Sequence, residues 1–480
     1  MSNLEDLNDR YEQCRKLLES RNQQHLLAWW DSLDGDSREK LLREIESIPW
    51  ELVDELIPTH VLKEPPRHVP SDIVPAPAYP RIPTAELKPL YEEARELGRQ
   101  LISTGKVAAF TVAGGQGTRL GFDGPKGAVA ITPVRRKTLF QLFAEIIRAA
   151  IDRYGTPIPW YIMTSTGNYQ QTKDFLEENK YFGLSAHNVF LFCQGMLPSF
   201  DFGGKTLMTD KDQLALAPDG HGGSLKSLVT SGSLKRMQQR GVEIITYFQV
   251  DNPLIKPFDE LFIGLHRLTR SEMSSKVTPK ADDLERLGNV CLADGRVVVI
   301  EYSDFPEHLA RAKNPDGSRR FDLGSLAIHL LDVGFVERIV GHRFELPYHR
   351  ALKEVAWLDE HGVQQTPPKG KPNAVKLETF VFDALPLAKN PLVLEIDRSE
   401  EFSPVKNARG VDSLETSIRD QIRRAARWLE AAGAKVPRNN DGEPAVTLEI
   451  APSFAMSAED VQRKLTNPSK LSAGEKIYIS

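Results

Sequence analysis

Apolar residues at helical spacing open the chain. Leu17, Leu18, Leu26, Leu27, Trp29 and Trp30 form one stripe, and Leu41, Leu42 and Ile45 continue it after a polar break, so residues 1–56 are predicted to be helical. Residues 57–83 then carry Pro58, Pro65, Pro66, Pro70, Pro75, Pro77, Pro80 and Pro83. Proline cannot donate to a helix or a central strand, so this stretch reads as an extended surface connector. From about residue 105 the texture changes. Short apolar runs at 107–112, 160–163, 189–192 and 244–250 read as strands, and 138–153, 168–180 and 223–240 read as helices between them. That alternation predicts an α/β fold, with a doubly wound, Rossmann-like mixed sheet, mostly parallel and covered on both faces. Residues 297–302 should form an edge strand after the Asp294-Gly295 turn. Residues 412–432 should form a helix, with Leu414, Ile418, Ile422, Ala425 and Leu429 on one face, and 446–450 a short strand. The layout expected is a helical region at 1–100 including the connector, a central domain at 101–385, and a small α+β piece at 386–480.

Composition narrows the class. Of 480 residues, 40% are hydrophobic and 26% charged, which excludes a disordered chain or a fibre. Lys and Arg number 61 against 66 Asp and Glu, and a net charge of −5 argues against a general nucleic-acid binder. Cys14, Cys193 and Cys291 are too few and scattered for a disulfide framework or a zinc site, which fits a reducing compartment. The polar, acidic start and the lack of a long apolar run predict a cytoplasmic protein away from membranes.

Ligands of such sheets sit outside the carboxyl ends of the strands. The loops of interest are therefore 113–127, 193–198, 217–223 and 251–253. The first is the most informative: Ala113-Gly114-Gly115-Gln116-Gly117-Thr118-Arg119-Leu120-Gly121, then Gly124-Pro125-Lys126-Gly127. Its glycines let backbone N–H groups approach a phosphate chain, and Arg119 and Lys126 add two positive charges, as a triphosphate requires. The spacing is not that of a dinucleotide fingerprint, since Gly121 falls one residue late, nor of a Walker loop, since Lys126 stands between Pro125 and Gly127. This disfavours a nicotinamide oxidoreductase. Asp251 follows the apolar run 244–250, where a carboxylate can hold Mg²⁺ against phosphate oxygens. Gln194 follows the run 189–193, and its amide both donates and accepts.

The glycine string resembles the signature of the nucleotide-diphosphate-sugar pyrophosphorylases. Lys180-Tyr181-Phe182-Gly183-Leu184, Gln194-Gly195-Met196-Leu197-Pro198, Ala217-Pro218-Asp219-Gly220, Val250-Asp251-Asn252, Val299-Ile300-Glu301-Tyr302-Ser303, Phe380-Val381-Phe382-Asp383 and 401–407 resemble the eukaryotic-type UDP-N-acetylhexosamine pyrophosphorylases, in family order across most of the chain. The resemblance implies the nucleotide-diphospho-sugar transferase fold and a uridylyltransferase that makes UDP-sugar and pyrophosphate from UTP and a sugar 1-phosphate. It implies phosphate roles for Arg119, Lys126 and Lys406 and a magnesium ion on Asp251, with manganese as a substitute. Ala113, Gly114, Gly115, Gly117 and Thr118, together with Gln194, Met196, Pro218, Gly220 and His221, would hold the nucleotide. Gly288, Glu301, Ser325, Phe380 and Phe382 would hold the sugar, the two phenylalanines alternating on one strand.

Two departures bear on the sugar. The acetylhexosamine branch has Asn where this chain has His221, and Asn where it has Ser325. The phenylalanine pair favours N-acetylglucosamine 1-phosphate; His221 keeps glucose 1-phosphate or a broad acceptor range open. A catalytically idle sugar-nucleotide sensor is the alternative from another class, and retention of Arg119, Lys126, Asp251 and Lys406 together argues against it. A monomer or weak homo-oligomer is expected.

Overall fold

The computed structural model describes residues 2–65, 72–341, 346–466 and 471–480, with side chains from residue 6 onward. The chain forms two compact units, each assembled from three stretches. One comprises Met1–His68, Gln194–Ser224 and Glu345–Val381; the other comprises Val69–Cys193, Leu225–Phe344 and Phe382–Ser480.

In the first unit the expected helical start is present as α1 (Ser2–Ser20), α2 (Gly35–Ser47) and α3 (Trp50–Leu56), with two 3₁₀ turns between α1 and α2. The α2 helix starts at Asp34, whose carboxylate accepts from the Ser37 amide at 2.8 Å, a cap that contributes about 1 kcal/mol. The apolar stripe does not pack only on itself. Leu18, Leu26, Trp30, Leu41, Leu42, Ile45 and Val53 share one core with Phe200, Leu214, Val375 and Leu377. The last two lie on the strand Ala374–Thr379, which pairs antiparallel with Tyr348–Lys353. Trp29 departs from the expectation: it is half-buried at the surface, with Lys211 Nζ 5.0 Å from its ring.

The proline stretch is not simply a connector. Pro58 lies inside a short π-helical turn, Ile57–Val61, that follows α3 directly. In the second unit, Ile73–Pro75 forms β1, an edge strand, where the missing N–H of Pro75 costs no ladder bond. Tyr79 bridges to Leu394, its amide donating to the Val393 carbonyl at 2.9 Å. Pro66 and Pro70 lie outside the described residues.

The second unit is built on a sheet of ten strands among the described residues. After β1 these are β2 (Val107–Val112), β3 (Trp160–Thr164), β4 (Val189–Cys193), β5 (Ile244–Gln249), β6 (Met273–Pro279), β7 (Asn289–Ala293), β8 (Arg296–Ile300), β9 (Leu323–Asp332) and β10 (Leu392–Glu395). The parallel expectation holds for β5-β2-β3-β4. Beyond β5 the directions mix, as a mixed sheet requires: β9 runs antiparallel to β5, β6 and β7, while β6 and β10 pair in parallel. The strand expected at 297–302 is β8, which ends at Ile300 and pairs with β7 at the margin. The expected helix 223–240 is two, Gly223–Thr230 and Ser233–Gln239, divided at Gly232. No helix among the described residues is long and apolar enough to cross a membrane.

The helices of this unit include α4 (Lys88–Ser103), α5 (Leu139–Tyr154), α6 (Glu260–Leu268) and α7 (Leu414–Ala431). Strands Thr447–Ile450 and Lys476–Ile479 pair in parallel near the end of the chain. Glu449 accepts from the amides of Val134 and Arg135, at 2.8 and 2.7 Å, and Lys137 Nζ donates to the Tyr478 hydroxyl at 2.8 Å. The C-terminal piece is thus pinned to the loop before α5.

Helices α4 and α6 cross so closely that glycine is required on both sides. A Cβ on Gly264 would stand 1.7 Å from the Ala94 carbonyl oxygen, and one on Gly98 would stand 1.9 Å from that of Glu260. Gly264→Ala should therefore destabilise the protein by about 2 kcal/mol despite alanine's better helix propensity. Gly35→Ala, where nothing lies within 4 Å, should be neutral or stabilising. Thermal unfolding of the two variants checks the contrast.

Candidate active site

The β2 strand and its neighbour β5 pair in parallel and in register, Val112 opposite Gln249. Their carboxyl ends therefore stand side by side, and the Val250 amide donates to the Val112 carbonyl at 3.0 Å. The glycine loop leaves β2 and Asp251 leaves β5. The loop folds back on itself: the Gly117 amide donates to the Gly124 carbonyl at 2.8 Å, and the Lys126 amide to that of Gly115 at 3.1 Å. That hairpin brings Lys126 Nζ to 3.2 Å from Asp251 Oδ2. The amides of Gly114, Gly115 and Gln116 meet no acceptor among the described residues. Ala113 is fully buried, its amide bonded to the Met163 carbonyl at 2.7 Å. Thr118 and Arg119 lie on an exposed 3₁₀ turn, and Arg119 has no partner among the described residues.

A residue with no motif signal holds this loop. Asn168 is completely buried, and its Nδ2 donates to the carbonyls of Ala113 at 3.0 Å and Gly115 at 3.2 Å. Its Oδ1 accepts from the Ser165 amide at 2.9 Å and hydroxyl at 3.0 Å. An amide side chain in a helical run looks like any surface residue in sequence, so only the fold reveals this anchor.

Asp251 is buried, and one of its carboxylate oxygens takes no hydrogen bond from a described residue. Its carbonyl accepts from the Val405 amide at 2.9 Å, which sets Lys406 beside it in the chain. Lys406 Nζ lies 3.8 Å from Asp412 Oδ2. Asp412 also escaped the sequence reading. Burial raises its carboxyl above the ordinary range; Lys406 and Arg398 oppose that, and Asp251 and Glu285 reinforce it.

The expected sugar residues of this unit come together at the open end of the β7–β8 hairpin. Gly288 precedes β7 and Glu301 follows β8, and the Ser325 amide donates to the Gly288 carbonyl at 2.8 Å. A Cβ on Gly288 would stand 3.8 Å from Glu301 Oε1 and only 2.6 Å from Val299 Cγ1. Phe382 is buried in the 3₁₀ turn Val381–Leu387, so it does not share a strand with Phe380, because the strand ends at Thr379.

In the first unit, Met196 pairs directly with Pro218. Gln194 is buried, and its side-chain amide makes no hydrogen bond to a described residue. Gly220 has φ +84°, and a Cβ there would meet the Thr379 carbonyl oxygen at 2.3 Å. Here glycine serves a close approach to the chain's own strand. His221 stacks on Phe380, ring centroids 5.2 Å apart, and His349 lies against Phe380 at 4.4 Å. His221 Nδ1 accepts from the Val381 amide at 3.1 Å, so the neutral ring carries its proton on Nε2.

Burial first, and His349 second, push His221 down to about 4. The unfolded chain takes up that proton near pH 6.5 and the folded chain only near 4, so this contribution is full above 6.5 and is lost as pH falls towards 4. Between pH 7.5 and 5 the loss should reach up to about 2 kcal/mol. His221→Asn should flatten the pH dependence of urea unfolding by that amount; an unchanged slope would place the titration elsewhere.

A family model described as UTP–glucose-1-phosphate uridylyltransferase matches residues 69–479. The human UDP-N-acetylhexosamine pyrophosphorylase-like protein 1 is 36% identical, over 93% of this chain and 93% of that protein. The UDP-N-acetylglucosamine pyrophosphorylase of Saccharomyces cerevisiae is 33% identical, over 94% and 96%. A crystal structure of the Trypanosoma brucei uridine diphosphate N-acetylglucosamine pyrophosphorylase with an inhibitor superposes with a TM-score of 0.79 at 25% identity, over 98% of each chain. The chain belongs to the UTP–glucose-1-phosphate uridylyltransferase family.

Proposed function

We propose that this chain transfers a uridylyl group from UTP to a sugar 1-phosphate, releasing pyrophosphate, with N-acetylglucosamine 1-phosphate as the preferred acceptor. The observation that carries the reading is the Lys126–Asp251 pair, 3.2 Å apart, at the carboxyl ends of adjacent parallel strands and beside a loop with unengaged amides. Those are the groups a triphosphate needs.

In the reaction a phosphate oxygen of the sugar 1-phosphate attacks the α-phosphorus of UTP in line, and the bond to pyrophosphate breaks. The chain contributes position and charge rather than proton transfer. The amides of Gly114 and Gly115, with Lys126 and Arg119, bind the oxygens that leave as pyrophosphate. Lys406 orients the attacking phosphate and offsets charge near the α-phosphorus. Asp251, with one carboxylate oxygen unengaged, would hold a magnesium ion, since magnesium is commonly bound through one or two carboxylates. When bound, such an ion neutralises phosphate charge. No group of three or more ligating His, Cys, Asp or Glu occurs among the described residues, so a cage made of protein alone is not the arrangement proposed. Gln194, Met196, Pro218 and the Gly220-His221 turn are assigned to the nucleotide, and Gly288, Glu301, Ser325, Phe380 and Phe382 to the sugar.

Pyrophosphate release with UTP and Mg²⁺ should be fastest with N-acetylglucosamine 1-phosphate among the N-acetylglucosamine, N-acetylgalactosamine, glucose and galactose 1-phosphates. Preference for glucose 1-phosphate would mean that His221 and Ser325 outweigh the phenylalanines in acceptor choice. UTP binding without release would favour a sensor. Lys126→Ala should lower kcat/KM by roughly 100-fold or more; full turnover in that variant would remove Lys126 from the phosphate site.

A further inference from the structure

Lys276 is a charged residue that the reaction scheme does not use, yet its side chain is completely buried in the central sheet. It lies on β6 where the pairing with β9 slips between Ser275 and Val277, an irregularity that also places Ala327 at φ +54°. Its Nζ donates to Asp259 Oδ2 at 2.6 Å and to Glu401 Oε2 at 2.5 Å. Burial lowers the tendency of this ammonium to stay charged, and the two carboxylates more than reverse it. The two arms lead to different places. Asp259 caps α6 through the amides of Leu261 and Phe262. Glu401 begins the segment that ends at Lys406.

That segment is laced to the end of β5. Asn252 Nδ2 donates to the Glu401 carbonyl at 2.7 Å, Asn252 Oδ1 accepts from the Ser403 amide at 3.1 Å, and the Asp251 carbonyl accepts from the Val405 amide at 2.9 Å. From the sheet outward the order is Lys276, Glu401, Asn252 with Asp251, then Lys406. Lys406 itself is half-exposed; its Nζ lies 3.8 Å from Asp412 Oδ2 and 6.0 Å from the centroid of the Phe402 ring. Its placement depends on its backbone, which is held on one side by the bond from its amide to the Asp412 carbonyl at 2.6 Å and on the other by the segment that starts at the buried strut.

We infer that Lys276 is a positioning residue for uridylyl transfer, acting through the Glu401 arm to hold Lys406 and Asp251 in their relative places. The inference rests on the functional reading above, in which Lys406 acts at the α-phosphorus. Asp259 serves the same ammonium but leads only to a helix cap, so the two arms separate a positioning role from a stabilising one.

Glu401→Gln and Asp259→Asn each leave Lys276 paired with one carboxylate, which avoids stranding a buried cation. Glu401→Asp, with the charge kept and the strut shortened, replaces Glu401→Gln should that chain not fold. Asp259→Asn should lower the melting temperature and leave kcat within about twofold of wild type. Glu401→Gln should lower kcat by roughly 10- to 100-fold, with the calorimetric Kd for UTP within about twofold. In a Lys406→Ala background the same change should add almost nothing, because the group it positions is gone. Equal kcat losses in the two arms, unchanged kcat in Glu401→Gln, or losses that multiply with Lys406→Ala would overturn the inference while an active wild type leaves the functional reading standing. A wild-type chain that releases no pyrophosphate with any sugar 1-phosphate would overturn the reading itself, and this inference with it.

Discussion

The parallel pairing of β2 with β5 is the constraint on which the candidate site depends. Two strands in register must end at the same level, so whatever follows them is brought together without further design. The glycine loop follows one and Asp251 follows the other. Slipping the register would carry Asp251 away from Lys126 and turn alternate side chains to the opposite face of the sheet. The apolar content of both strands resists that slip, since Ala109, Phe110, Ile245 and Tyr247 are buried. A fixed core thus sets the position of a charged pair that is only partly shielded from water. Around that pair the remaining supports are polar: the Asn168 amide under the loop and the Asn252 amide under the 401–406 segment.

Much of this was legible in the amino-acid sequence, for a physical reason. Strands buried on both faces read as unbroken apolar runs, so β2, β3 and β5 were visible, and the half-buried edge strand β4 kept enough of the pattern to be read too. Amphipathic helices such as α5 and α7 declare themselves by period. The candidate site was legible through its glycines and lysines, because the chemistry of binding phosphate leaves few choices of residue. Lys126 and Asp251 do meet, and so do Gly288, Glu301 and Ser325.

What stayed hidden depends on contacts distant along the chain. Nothing near Leu41 or Trp30 announces that they pack with Val375 and Leu377. Asn168 and Lys276 carry no local pattern, since a buried polar residue looks like an exposed one until its partners are known, and the half-buried Asp412 is no easier to pick out. Edge positions were misread in both directions. Ile73–Pro75 looked like a linker because of its proline and proved to be a strand, whereas the alternation of Phe380 and Phe382 looked like a strand and proved to be a strand end and a 3₁₀ turn. Marginal strands have one unpaired side, which tolerates proline and weakens the pattern.

The composition of the first unit from three separated stretches has a consequence for how the protein is made. The α1–α3 helices leave the ribosome roughly 300 residues before Val375 and Leu377, which complete their core. At about 5–20 residues per second, Leu18, Leu41 and Ile45 wait tens of seconds before their last neighbours are synthesised. For that interval an incomplete apolar surface is exposed on the nascent chain. The N-terminal helices are therefore where a holdase chaperone would have most to cover, and where slower translation would lengthen the exposure to aggregation.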